Sequence, residues 1–111
     1  MKINHENYEH ITVMACQGEF TTEQVERFRK CARERMEQDV RDFVLDFSEL
    51  EFVDSKGLET LIWLQDQVAE RLGQVRLACL PENVEKVLEI TRLGNRFDSH
   101  GDVDAAIKSL R

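Results

Sequence analysis

The sequence predicts an α/β fold, in which a mixed, mostly parallel sheet of about five strands is flanked by about four helices. The main observation is that short apolar segments alternate with segments whose apolar residues recur at helical spacing. A second observation is the compact apolar run at residues 43–45, which is typical of a strand covered on both faces. Such alternation produces right-handed crossovers and parallel pairing.

The N-terminal residues predict antiparallel character at one edge of this sheet. Residues 2–17 have the pattern of a small hairpin, with one strand opening at Ile3 and a polar turn over residues 6–10. Residues 11–16 are rich in β-branched and apolar side chains and predict the second strand. Gly18 is expected to end that strand.

A helix and a central strand follow the hairpin. Residues 21–24, Thr-Thr-Glu-Gln, match a capping box in which Thr21 caps a helix over residues 22–37. Residues 40–46 then predict a strand, and residues 48–53 are expected to cross to the next element without forming a strand.

The middle of the chain predicts a second helix and a third sheet crossing. Apolar residues at helical spacing indicate a helix over residues 56–72, with Gly73 at its C′ position. Residues 75–80 predict a strand, and a helix is expected between Pro81 and Gly94.

The last segment predicts a short strand and a closing helix. Residues 96–98 are expected to form the strand, and Asp102 is expected to cap a helix that runs through Leu110. The whole pattern is β-β-α-β-α-β-α-β-α. No linker, repeat or low-complexity segment divides it, so we predict a single domain over residues 1–111.

Composition limits the classes of partner. The 22 acidic and 15 basic side chains give a net charge of −7, which disfavours nucleic-acid binding and docking on anionic membranes. We therefore expect no nucleic acid and no membrane among the partners. The N-terminus has no apolar signal segment, and no run approaches the ~18 residues of a spanning helix.

Cysteine and histidine usage predicts no metal and no cofactor. The three cysteines are odd in number and widely spaced, which favours a reducing, cytoplasmic location and the role of small buried hydrophobic residues. The histidines are isolated in predicted turns and have no metal-ligand spacing.

Residues 54–57, Asp-Ser-Lys-Gly, lie where an apolar segment ends and a helix begins. Asp54 or Ser55 can cap the helix through a backbone N–H, and Gly57 permits close approach of another backbone segment. Alternatively, Ser55 carries a phosphate, which adds about −1.5 to −2 charges and would find N–H donors at the helix N-terminus. The residues alone leave both interpretations open.

Residues 46–58, Asp-Phe-Ser-Glu-Leu-Glu-Phe-Val-Asp-Ser-Lys-Gly-Leu, resemble the signature of STAS domains, in particular that of bacterial anti-sigma factor antagonists. The resemblance covers nearly the whole chain. Residues 18–20, Gly-Glu-Phe, are similar to the loop after the family's second strand, and residues 80–84 and 88–93 are similar to its late helix. It implies a STAS-like single domain.

The resemblance also implies a function. Such domains are non-enzymatic switches that regulate transcription in the bacterial cytoplasm. The serine directly after the aspartate, here Ser55, is phosphorylated by a partner that is both anti-sigma factor and serine kinase, and a metal-dependent serine phosphatase removes the phosphate. The unphosphorylated antagonist binds the anti-sigma factor and releases the sigma factor.

The residues that the resemblance assigns to partner binding are Glu19, Thr21, Asp54, Ser55, Lys56 and Gly57. Two of them depart from the family pattern, which often has an acidic residue at the position of Thr21 and Ser or Thr at that of Lys56. A lysine there could pair with a phosphate or alter which kinase docks. A second hypothesis is therefore a constitutive STAS scaffold subunit of a multi-protein regulatory or transport complex, without a phosphorylation cycle.

Other features leave weaker alternatives. An enzyme has the least support, because nothing near Ser55 in sequence supplies a general base held by a third group. A phospho-aspartate receiver is also disfavoured, because the chain lacks the acidic pair at the end of the first strand and the lysine late in the sheet that receivers have. Trp63 is expected either in a wide buried stripe or, like Phe52, as an exposed aromatic anchor for a partner.

Overall fold

The computed structural model describes residues 1–111, and its elements follow the predicted alternation. The strands are β1 (Lys2–Tyr8), β2 (Ile11–Phe20), β3 (Asp42–Asp46), β4 (Leu50–Val53), β5 (Val75–Ala78) and β6 (Asp98–His100). The helices are α1 (Val25–Met36), α2 (Ser55–Glu70), α3 (Glu82–Ile90) and α4 (Val103–Ser109). The sheet order is β1-β2-β3-β5-β6, with β4 paired to β2. Only β1 is antiparallel to its neighbour, so the predicted mixed, mostly parallel sheet is confirmed.

The sheet has six strands where the sequence predicted five, because β4 was interpreted as a crossing segment. β2 does not end at Gly18 as predicted: Ile11 to Ala15 pair with β3, and Gly18 to Phe20 pair with β4. Gly18 lies at φ 99, and the register shifts between it and Glu19. A glycine tolerates this conformation, so β2 bends at Gly18 and continues to a second parallel partner.

The predicted capping box is wrong. Residues Thr22–Gln24 form a 3₁₀ turn before α1, and the Thr21 side chain makes no capping hydrogen bond. Thr22 instead bonds to a carboxylate that is distant in sequence, that of Asp54. A local motif was therefore displaced by a tertiary contact.

The end of α2 also differs from the prediction. Leu72, and not Gly73, takes the left-handed conformation, with φ 64, while the Gly73 N–H donates to the carbonyl of Val68 at 2.9 Å. A Cβ atom on Gly73 would overlap the carbonyl oxygen of Arg41. The glycine therefore meets a need for close packing and not for a left-handed turn.

The last strand is displaced by two residues from the predicted 96–98. Gly94–Arg96 form a 3₁₀ turn, and β6 begins at Asp98. Phe97 is buried between the two elements.

Two apolar cores lie on opposite faces of the sheet. The larger one packs the sheet against α1, α2 and α3, and its members include Phe20, Phe28 and Phe43. The smaller one packs α4 against β2 and β3 through Ile107 and Val44, among others. The sheet is thereby fixed from both sides, which holds the strand ends and the helix starts in place.

Trp63 matches neither of its two predicted environments completely. Its ring is half-buried beside the main core, and the guanidinium groups of Arg29 and Arg33 lie over it, 5.2 and 5.3 Å from its centroid. Cation–π contact between α1 and α2 therefore covers the aromatic surface that a partner would need.

None of the three cysteines forms a disulfide. Free cysteines of this kind pack as small hydrophobic residues. Cys16 is fully buried, and burial raises the pKa of its thiol to about 12. Cys31 and Cys79 are half-buried.

Candidate functional site

Asp54 is the residue that caps α2. It follows the last residue of β4 in an extended conformation, and its Oδ1 accepts a hydrogen bond from the backbone N–H of Gly57 at 2.8 Å. The Asp54 carbonyl also accepts the N–H of Leu58 at 3.0 Å. Asp54 is therefore the cap of α2, and Ser55 is the first residue of the helix.

The same carboxylate links α2 to the 3₁₀ turn that precedes α1. Its Oδ2 accepts the backbone N–H of Thr22 at 2.9 Å and the Thr22 hydroxyl at 3.2 Å. The Asp54 N–H donates to the carbonyl of Phe20, at the end of β2, at 3.1 Å. Asp54 thus joins the start of α2 to the segment between β2 and α1, which is more than thirty residues away in sequence.

These hydrogen bonds favour the ionised carboxylate. The Gly57 N–H has the largest effect and holds the pKa of Asp54 below its ordinary value, although partial burial opposes the shift. The N–H and hydroxyl of Thr22 and the N–H of Lys56 lower the pKa further. The negative charge at the N-terminus of α2 is therefore permanent at neutral pH.

Ser55 is exposed, and its hydroxyl has no hydrogen-bond partner within the chain. Beside it, the Lys56 ammonium lies 3.2 Å from the Glu59 carboxylate, and both side chains are more than half exposed. Pairs of this kind contribute about 0.3–0.5 kcal/mol, so Lys56 is easily drawn to another anion. Because Asp54 already accepts the Gly57 N–H, that donor is not free for a phosphate on Ser55.

Gly57 permits the close backbone approach that the sequence predicted. It is buried, and a Cβ atom there would lie 2.5 Å from the carbonyl oxygen of Phe20 and 2.8 Å from Val53 Cγ2. The first turn of α2 therefore rests directly on the end of β2. Any larger residue would push the Asp54–Ser55 segment away from the sheet.

Three of the predicted partner-binding residues line one shallow depression: Glu19, Thr21 and Asp54. Glu23 and Glu51, which the sequence analysis did not single out, complete its acidic lining. None of its four carboxylates forms an ion pair within the chain. The other three predicted residues do not line the depression: Ser55 and Lys56 are exposed and follow Asp54 as the first residues of α2, and Gly57 is buried.

Phe52 adds an apolar element close to this surface. It lies on β4 next to Glu51, pairs in register with Glu19, and exposes 47% of its surface. The exposure agrees with the aromatic anchor that the sequence left as an alternative. Burial in β4 is not alternating, since Leu50 and Val53 are buried and the two residues between them are exposed, so periodicity could not have assigned Phe52.

No group of three or more His, Cys, Asp or Glu side chains is arranged to hold a metal ion. None of the helices is both long and apolar enough to cross a membrane.

Comparison with known proteins agrees with this fold. The family model for the STAS domain matches residues 2–106. A candidate anti-sigma factor antagonist from Thermotoga maritima has a similar structure, with a TM-score of 0.91 at 19% identity, over 98% of this chain and 94% of that chain. No curated protein sequence matches the chain.

Two other solved structures show how widely the fold is used. The phosphorylated form of the Bacillus cell fate determinant SpoIIAA has a TM-score of 0.77 at 20% identity, over 99% of this chain and 100% of that chain. The murine anion transporter Slc26a9 has a TM-score of 0.77 at 18% identity, over 91% of this chain and 18% of the transporter. At these identities the likeness is one of fold.

Proposed function

The chain belongs to the STAS domain family, and on that premise we propose that it is a non-enzymatic binding switch of the anti-sigma factor antagonist type. Its unphosphorylated form binds an anti-sigma factor that is also a serine kinase. Phosphorylation of Ser55 by that partner ends the interaction, and a serine phosphatase restores it. The protein then acts in bacterial transcription regulation from the cytoplasm.

The observation that carries this proposal is the free, exposed hydroxyl of Ser55. The adjacent Asp54 performs the capping that serine would otherwise provide. The Ser55 side chain therefore makes no hydrogen bond that holds the fold together, and a kinase can reach its hydroxyl without unwinding α2. A modification at this position changes the surface and leaves the helix start intact.

The charge of the surface explains how the modification would act. A phosphate adds about −1.5 to −2 charges beside the permanent charge of Asp54 and the unpaired carboxylates of the depression. A partner that fits the unmodified surface presents basic groups toward the depression and an apolar pocket for Phe52. The phosphate blocks close approach of the partner at Ser55, where like charge or lost fit costs several kcal/mol.

Lys56 supports a second candidate function. The family often has Ser or Thr at this position, and the fold is shared with a domain of an anion transporter. The alternative is a constitutive scaffold subunit of a regulatory or transport complex, in which the same surface binds a partner permanently. In that case a phosphate on Ser55 would have no regulatory role.

The two functions are distinguished by partner affinity. The wild-type chain is used to isolate its partner from the native cells, and the purified partner is then titrated calorimetrically with the unmodified chain and with chains carrying phosphoserine at position 55 or 48. Ser48 is an exposed serine in the turn before β4 and serves as the matched control. We expect phosphoserine at 55 to weaken binding by about a hundredfold or more, and phosphoserine at 48 to change it little. Equal affinity for all three chains would favour the scaffold.

A further inference from the structure

A groove of about 420 Å³ lies between α3 and the edge of the sheet formed by β6. Its apolar lining consists of Leu77 from β5, Leu88 from α3, and Leu80 and Phe97 from the connecting segments. Its size is within the range of cavities that bind small ligands or single side chains. None of these residues lines the depression beside Asp54 or belongs to the segment 54–57.

β6 forms one side of this groove and is the last strand of the sheet. It pairs only with β5, so the backbone groups on its outer edge have no partner strand. Ser99, the middle residue of β6, lines the groove. Unpaired N–H and C=O groups at a sheet edge can accept another strand.

The charges at the groove favour a basic ligand. Glu85 and Glu89 lie one turn apart on α3, both line the groove, and neither forms an ion pair within the chain. One cation, that of Arg92, also lines the groove. The lining of the groove therefore combines a small excess of negative charge with four apolar side chains.

A helix beside an unpaired strand, with an apolar floor between them, is the arrangement by which sheet-edge domains bind extended peptides. We propose that this groove binds an extended, basic peptide segment of another protein. The segment adds a strand to β6 and inserts an apolar side chain among Leu77, Leu88 and Phe97. Its basic side chains face Glu85 and Glu89. This interaction is independent of Ser55.

The two binding surfaces meet α3 at different places. The first turn of α3 contacts β4, where Asn83 Nδ2 donates to the carbonyl of Glu51 at 2.7 Å. The groove is lined by Glu85, Leu88 and Glu89 from the later part of α3 and by Arg92 after its end. A peptide in the groove would therefore leave the depression beside Asp54 accessible.

The test is a selection of random heptapeptides on the wild-type chain, with counter-selection on the double variant Glu85→Lys, Glu89→Lys. The enriched peptide is synthesised and titrated into labelled protein while amide chemical shifts are followed. A second double variant, Glu37→Lys, Glu70→Lys, makes the same change in net charge at an exposed position directly after α1 and at the exposed last residue of α2, and is the matched control. A copy of the peptide with methylated backbone nitrogens tests strand addition.

We expect the enriched peptides to combine an apolar residue with Lys or Arg and to shift the amides of β6 and α3. Reversal of Glu85 and Glu89 should weaken binding about tenfold, and the control variant less than about twofold. Backbone methylation should abolish binding, because the strand loses its donors. The proposal is overturned if no peptide is enriched over the counter-selected variant. It is equally overturned if the shifts map to another surface, or if the methylated peptide binds as well.

Discussion

Replacing Asp54 by alanine should destabilise the fold far more than replacing Ser55. Asp54 caps α2 through Gly57, and loss of such a cap costs about 1 kcal/mol. Its hydrogen bonds to Thr22 are charge-assisted but partly solvent-exposed, and we assign them about 1 kcal/mol more. The expected loss in the free energy of unfolding is therefore about 2 kcal/mol.

Ser55→Ala removes a hydroxyl that bonds to nothing in the chain, and its expected effect is within about 0.5 kcal/mol. Asp54→Asn should fall between the two variants, since asparagine also caps helices but does not carry the charge. Urea denaturation at pH 7, followed by the fluorescence of the single tryptophan, measures all three. Trp63 packs between α1 and α2 and reports on their separation.

The order of these two effects tests the assignment of the cap directly. If Ser55→Ala costs as much as Asp54→Ala, then Ser55 has the structural role and the reasoning about its free hydroxyl fails. A change in the denaturant slope would indicate an altered denatured or native state instead of lost hydrogen bonds.

Three further predictions follow from the same geometry. Gly57→Ala gains about 1 kcal/mol of helix propensity but forces a Cβ atom against the Phe20 carbonyl, so we expect the free energy of unfolding to fall by about 1–2 kcal/mol. Gly101→Ala, whose Cβ atom would meet open space, should cause no loss, and a stabilised Gly57→Ala would disprove the close approach. Because the pKa of Asp54 is lowered in the folded state, the contribution of its charge to stability is complete above the ordinary carboxyl pKa of about 3.9 and is lost as pH falls through the folded-state value. The difference in stability between wild type and Asp54→Asn should therefore shrink below about pH 4, and a constant difference would contradict the assigned ionisation. Phe52→Ala should weaken partner binding by about tenfold or more in calorimetric titration, and it should change stability little because the ring is half exposed. An unchanged affinity would show that Phe52 is not part of the interface.

The alternation of strands and helices was sufficient to predict the architecture, because each central element has a continuous apolar face. The apolar run at 43–45 is buried as β3, and the residues at helical spacing on α2 face the main core. Such patterns are local consequences of burial, so they can be seen in sequence. The fold class and the family therefore followed from the residues.

Two of the features that sequence reasoning missed depend on contacts between distant segments. β4 has no alternation, and it exists because β2 bends at Gly18 and offers a second edge. The capping box at Thr21 was satisfied in sequence, but the Asp54 carboxylate bonds Thr22 from across the fold. No pattern within one segment could reveal either contact.

One part of the candidate site could likewise be identified from the sequence, and another part could not. The segment from Asp54 to Gly57 could be identified from the chain, because cap, hydroxyl and glycine occur together there. Glu23 and Glu51 could not, because they join the depression only when β4 pairs with β2 and α1 begins beside it. Neither could the division of roles between Asp54 and Ser55, which depends on the direction of one carboxylate.

The central claim is that Ser55 accepts a phosphate from a serine kinase partner, and intact-mass measurement tests it most directly. The wild-type chain, Ser55→Ala and the control Ser48→Ala are each incubated with ATP and with the kinase isolated from the native cells by the wild-type chain. Wild type and Ser48→Ala should gain about 80 Da, the mass of one phosphoryl group, and Ser55→Ala should gain nothing. A phosphoryl group that persists in Ser55→Ala, or a wild-type chain that is never modified, would contradict the account.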